Sequence, residues 1–152
     1  VENNNGQNWR SLEGIRDKYL GKVVSGSRSP AGNWLQFVLE DIQPGTATLA
    51  VPVRTEMTNP YGHIHGGMMS LVIDEAIGWA VASLISEHHF TSMNLTVDFL
   101  YAIKSGDTLK AVSRVIREGK RIVNCECFVY NSQKVVLAHG TSNLIATNMS
   151  FV

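Results

Sequence analysis

The stretch "NPYGHIHGGMMSLVIDEAIGWAVASL", Asn59 to Leu84, decides how the rest of the chain is read. It begins polar and turn-forming, with His63 and His65, and from Gly66 onward is apolar except for Asp74 and Glu75. A segment this apolar on all sides is a helix that must be buried over most of its circumference. Two carboxylates in its middle are costly unless they are paired, hydrogen-bonded or used. Asp74 falls eight residues after Gly66, about two turns, and Glu75 points about 100° away from Asp74. The two acids therefore occupy different surroundings. Gly78 sits one turn beyond Asp74 on the same stripe and leaves space beside that carboxylate. An acid so placed is either a general base or nucleophile, or a carboxylate satisfied by a neighbouring strand or subunit.

The entry to this helix carries a second signal. "HGG", His65 to Gly67, stands where the first turn begins, with its free N–H groups and positive dipole end. Two glycines let a substrate approach that backbone, so a carbonyl oxygen there would be polarised. Asn59, seven residues before Gly66, offers a side-chain amide as a second donor. The plain alternatives are a tight turn for the glycines and an Asn-Pro turn start for Asn59. His63 and His65 have HxH spacing, but no further ligand stands at convincing spacing, so no metal site is expected. His65 is expected to brace the turn through its ring nitrogens. His88, His89 and His139 read as structural or surface residues.

Outward from this segment the periodicity changes. Trp9, Leu12, Ile15, Tyr19 and Leu20 recur at helical spacing, with Asn8 or Ser11 as cap and Gly21 as stop. "VVSGSRSPAGN" reads as a loop. "WLQFVLEDI", "TATLAVPVR" and "TSMNLTVDFLYAI" alternate as strands. In the last, Met93, Leu95, Val97 and Phe99 share one face, opposite Asn94, Thr96 and Asp98. "TLKAVSRVIRE" and "RIVNCECFVYN" flank "GK" as a hairpin, and "VVLAHGTSNLIATN" closes as the last strand. Strand runs with few helices point to an α+β fold with an antiparallel sheet. A curved sheet around the long helix buries it, and a second chain covers what one sheet leaves open. Trp79, Met68, Met69, Phe90 and Phe99 read as core, with pocket lining as the alternative.

Composition narrows the function classes. The chain has 152 residues, 44% hydrophobic and 17% charged, enough for one domain with a real core, residues 1–152, of which 1–21 form a helical extension. Thirteen basic residues balance 13 acidic ones, so no nucleic-acid footprint is expected. Arg114, Arg117, Lys120 and Arg121, interrupted by Glu118, form a solvated hairpin end or a contact for a phosphorylated ligand. Cys125 and Cys127 fit neither redox nor zinc spacing and read as buried thiols on one strand face. Gly66 to Ser86 has the length of a membrane span, but each central acid would cost roughly 2.5–3.5 kcal/mol there. No leader pattern opens the chain, and a soluble cytoplasmic protein is expected. Neither a GxSxG elbow, a P-loop nor a GxGxxG motif occurs.

"NPYGHIHGGMMSLVIDEA", together with the hairpin-bearing run from Leu95 to Asn131, resembles the hotdog-fold thioesterases, in the PaaI-like and 4-hydroxybenzoyl-CoA thioesterase branch. The similarity spans residues 35 to 147. It implies a hotdog fold: a curved antiparallel sheet wrapped round one long helix. It also implies an acyl-CoA thioesterase that needs no cofactor beyond the coenzyme A of its substrate. The implied roles are Gly66 N–H and Asn59 on the thioester carbonyl, Asp74 as base or nucleophile, and Ser92 positioning water, with Thr91 as its rival. Gly67, Lys104, Lys120 and Arg121 are implied as substrate contacts, the three cations as candidates for coenzyme A phosphates. The resemblance also implies a homodimer in which Asp74 faces Gly66 and Asn59 of the other chain, and a homotetramer. One departure is Tyr101-Ala102, where relatives commonly carry Arg-Pro after the "DFL" segment. Two other functions stay open on this fold: a non-catalytic acyl-CoA binder, and a hydratase or dehydratase, whose hydration motif is not found here.

Overall fold

The computed structural model describes residues 11–148. The expected helical positions before Ser11, Asn8 and Trp9 among them, lie outside the described residues. Helix α1 spans Leu12–Tyr19, capped by the Ser11 hydroxyl on the Gly14 N–H, and stops where Gly21 takes a positive φ of 73°.

The segment expected as a loop contains a helix. Residues Pro30–Leu35 form α2, with Ser29 as N-cap and Pro30 at the first position, where a missing N–H costs nothing. Trp34 and Leu35, expected to open a strand, therefore end a helix. Gln36 turns left-handed, and β1 begins only at Val38.

Strand β1 (Val38–Gln43) and β2 (Thr46–Pro52) precede the long helix α3 (Gly66–Ala82). Then follow β3 (His89–Phe99), β4 (Thr108–Glu118), β5 (Ile122–Tyr130) and β6 (Val136–Thr147). The six strands form one antiparallel sheet in the order β1-β2-β4-β5-β6-β3. Helix α3 touches all six. A helix about 10 Å across can reach strands spaced about 4.8 Å apart over such a width only if the sheet curls round it. This is the hotdog architecture.

The core lies between α3 and the concave face. Val72, Ile73, Ala76, Ile77 and Ala80 are buried against Leu49, Leu109, Ala111 and Val123. Cys125 and Cys127 share that buried face as free thiols, and loss of solvent pushes both up to about 12. Two polar contacts hold the helix to the sheet. Ser113 Oγ, fully buried, lies 2.7 Å from the Ala76 carbonyl, and Ser83 Oγ accepts from the Gly45 N–H at 2.8 Å. Among the described residues no helix is long and apolar enough to cross a membrane.

Strand β3 is the edge that remains open. Among the described residues it pairs only with β6, and its 11 residues are mostly exposed. A long strand with one unpaired side is a template for a further strand.

Candidate active site

The helix entry is built by a tight turn. Asn59 Oδ1 accepts from the Tyr61 N–H at 2.9 Å and the His63 N–H at 3.2 Å, while the Asn59 and His63 backbones pair at 2.7 Å. With Oδ1 occupied, the Nδ2 amide is the part of Asn59 left to donate. His65 is the N-cap of α3, and its Nδ1 accepts from the Gly67 N–H at 2.9 Å. The ring thus braces the turn, and the Gly67 amide is spent on it. The Gly66 N–H has no hydrogen bond to another described residue. Of the two glycines, Gly66 is therefore the free donor.

Asn59 and Gly66 line one cavity of 370 Å³ together with Met69, Phe99, Tyr101 and Ala102. Phe99 packs on the glycine so closely that a Cβ at Gly66 would lie 3.3 Å from the ring. Tyr101 and Ala102, the departure from the family pattern, form part of this wall.

Two turns along α3, Asp74 accepts a hydrogen bond from Ser92 Oγ at 2.9 Å. Strict alternation with Met93, Leu95, Val97 and Phe99 would turn Ser92 away from α3. The β3–β6 register shifts between Ser92 and Asn94, so Met93 is an extra, bulged residue. Ser92 pairs with buried Leu144, and Leu95 with buried Ser142, so both face the helix. The expectation that Met93 shares the Leu95 face is thus corrected; Met93 is exposed. The bulge is what re-aims Ser92 at Asp74, and Thr91, its rival, pairs with Ile145 on the other face.

Glu75 has a different occupation. Its carboxylate accepts from Ser29 Oγ at 2.9 Å and from Trp79 Nε1 at 3.0 Å. It lies over α2 so tightly that a Cβ at Gly32 would fall 2.1 Å from Oε1. Burial pushes the Glu75 carboxyl above its usual range, the two hydrogen bonds pull it partly back, and the Asp74 charge adds to the rise. Glu75 ties α3 to the segment before α2.

The cationic candidates are dispersed. Lys104 lies beside the turn, bridged through its backbone to His63. Lys120 and Arg121 sit at the β4–β5 hairpin tip, where the Arg121 carbonyl accepts from the Ala146 N–H near the start of β3. They are at the opposite end of β3 from Gly66. Asp74 and Gly66 are likewise apart: eight residues of helix put about 12 Å between them along the axis. One chain cannot bring both to a single carbonyl group.

The fold and this helix-entry motif define a hotdog protein of the thioesterase class. Residues 61–138 match the family model described as the thioesterase superfamily, and the chain belongs to that family. The acyl-coenzyme A thioesterase PaaI of Escherichia coli strain K12 is 30% identical over 103 residues, covering 66% of this chain and 72% of that protein. The solved structure of the E. coli PaaI protein superposes with a TM-score of 0.73 at 24% identity, over 78% of this chain and 88% of that one. The smu.793 protein of Streptococcus mutans UA159, solved bound to acetyl CoA, gives 0.70 at 23%, over 73% and 88%.

Proposed function

We propose that the protein is an acyl-CoA thioesterase whose sites are shared between two copies of the chain. One observation carries the reading: a donor pair, Asn59 with Gly66, and a carboxylate pinned by Ser92 flank the same open strand β3, about 12 Å apart along α3. Antiparallel pairing of β3 with its copy about a two-fold axis at Thr96, with Met93 looped out, sets Ser92 opposite Phe99 of the partner subunit. Asp74 of one chain then faces the Gly66 end of the other. The same pairing brings the Lys120–Arg121 tip toward the partner's Leu100–Ala102 segment, as a contact for coenzyme A phosphates.

The chemistry follows from the parts. Gly66 N–H and Asn59 Nδ2 donate to the thioester carbonyl oxygen and stabilise the developing oxyanion. Ser92 donates to Asp74 Oδ1, so Oδ2 is the oxygen left to take a proton from water, and Ser92 Oγ can accept that water's other O–H. Water oxygen bonds to the carbonyl carbon, the carbon–sulfur bond breaks, and the proton held by Asp74 passes to the departing thiolate. Free acid and coenzyme A thiol result. No activated serine is needed, because a thioester carbon is already electrophilic.

Thiol release from a panel of acyl-CoAs tests this, with wild type, Asp74→Asn and Asn59→Ala. Asp74→Asn should stay folded and lose about 10²–10⁴-fold in kcat. Mixing the two inactive variants under conditions of subunit exchange should restore activity, since a mixed dimer keeps one intact site. Binding of acyl-CoA without thiol release would refute the hydrolase reading and leave a binding protein. Wild-type turnover without recovery on mixing would refute the shared site.

A further inference from the structure

A second cavity, also 370 Å³, runs beside the latter half of α3. Gly78, Trp79 and Ala82 form its helix wall, Phe90 and Leu144 face them from the sheet, and Ile85 stands at the far end. The cavity begins beside the Asp74–Ser92 pair: Gly78 is one turn beyond Asp74, and Leu144 is the register partner of Ser92. At Gly78 a Cβ would meet nothing within 4 Å, so this part of the wall is a side chain left out. Ile85 has a φ of 52°, a conformation rare for a β-branched residue, and still packs against the core. The chain turns there, and Ile85 lines the cavity beyond Ala82. Polar groups, among them Arg28, Ser29, Glu75 and His88, also line it.

Resting on the thioesterase reading above, we propose that this cavity is the acyl compartment and takes straight-chain aliphatic acyl groups of medium length, with Gly78 as its entrance and Ala82 near its end. The length follows from the helix. Asp74 to Ala82 is eight residues, about 12 Å. A carbon–carbon bond of about 1.5 Å at a tetrahedral angle advances about 1.25 Å, so the depth matches roughly eight to ten carbons. An acetyl group leaves the compartment empty, and a benzoyl ring fills only the part beside Gly78.

The test is a chain-length profile of kcat/KM on acetyl-, butanoyl-, hexanoyl-, octanoyl-, decanoyl- and benzoyl-CoA, for wild type, Gly78→Leu and Ala82→Leu. Gly78 is a helical position with open space around it, so Gly78→Leu should fold, and a melting curve on each variant checks this. Wild type should prefer octanoyl or decanoyl. Gly78→Leu should lower the decanoyl-to-butanoyl ratio about tenfold or more, as expected for methylenes that lose their pocket. Ala82→Leu should lower the decanoyl-to-hexanoyl ratio and shift the optimum less. Thioester cleavage with both ratios unmoved, or a wild-type preference for acetyl or benzoyl, overturns the compartment alone. Absence of cleavage of any thioester overturns the thioesterase reading and this inference with it.

Discussion

Alanine at Gly140 measures how closely α3 is held to the sheet. A Cβ there would lie 2.6 Å from Ile73 Cγ2, whereas carbon atoms rest at about 3.5–4.0 Å. Roughly 1 Å has to be found. Ile73 cannot supply it alone, because it is fully buried between Val72 and Ala76, which are buried too. The helix must lift or the strand must bow. Overpacking of this kind costs about 1–3 kcal/mol. At this chain length each kcal/mol lowers Tm by about 2–4 °C. Denaturant unfolding at one fixed protein concentration reads the loss, since association shifts apparent stability. Asp74 follows Ile73 in sequence, so thiol release should fall as well, by up to about 10²-fold for a 1 Å displacement. In an Ile73→Ala background the same alanine has room, and the two costs should not add. A loss below about 0.5 kcal/mol, or strict additivity, would refute the close packing deduced for this helix.

Other perturbations read other parts of the molecule. Ser92→Ala should lower kcat by about 10–100-fold, while Ser92→Thr, which keeps the hydroxyl, should lower it far less; equal losses would show that the contact with Asp74 is dispensable. Glu75 has a folded-state pKa raised above 4.5, so its contribution to stability is full below that value and is lost as pH rises through the raised one. Glu75→Gln should therefore flatten the pH dependence of Tm between mildly acidic and neutral pH; an unchanged slope would rule Glu75 out as its source. Cys125 and Cys127, with thiols pushed up to about 12, should resist a chromogenic disulfide in the native protein and react on unfolding. Fast labelling of the folded chain would contradict their burial.

The features legible in the sequence are those whose information is local. The long helix, its HGG entry and the offset of Asp74 all lie within one continuous stretch, and helical geometry fixes their relation. The β4–β5 hairpin and the shared face of the two cysteines follow from period-two alternation. What stayed hidden depends on distant partners. Helix α2 is six residues long in a Ser-, Gly- and Pro-rich segment, too short to be favoured on its own. It stands because Glu75, 46 residues away from Ser29, bonds to its cap. The Ser29-Pro30 pair was the available signal, as an N-cap followed by a first-turn proline. Ser92 could be named as a candidate from the family pattern, but its direction could not be derived, since alternation points it the wrong way. That the donors and the carboxylate cannot meet within one chain needs only the helix rise, once the helix is known to be unbroken.

The bulge at Met93 gives β3 a parity that no single contact shows. Upstream of it the helix-facing positions are even-numbered, Phe90 and Ser92; downstream they are odd, Leu95, Val97 and Phe99. Both ends of the site hang on this strand, one on each side of the change. A substitution at Met93 leaves the parity intact, whatever the new side chain. A one-residue deletion there removes the bulge as well: Ser92 and Phe99 then stand an even number of residues apart, and strict alternation keeps both on the helix face. The bulge is thus what lets an odd spacing of seven residues serve two ends on one face, so at Met93 this strand tolerates both replacement and loss.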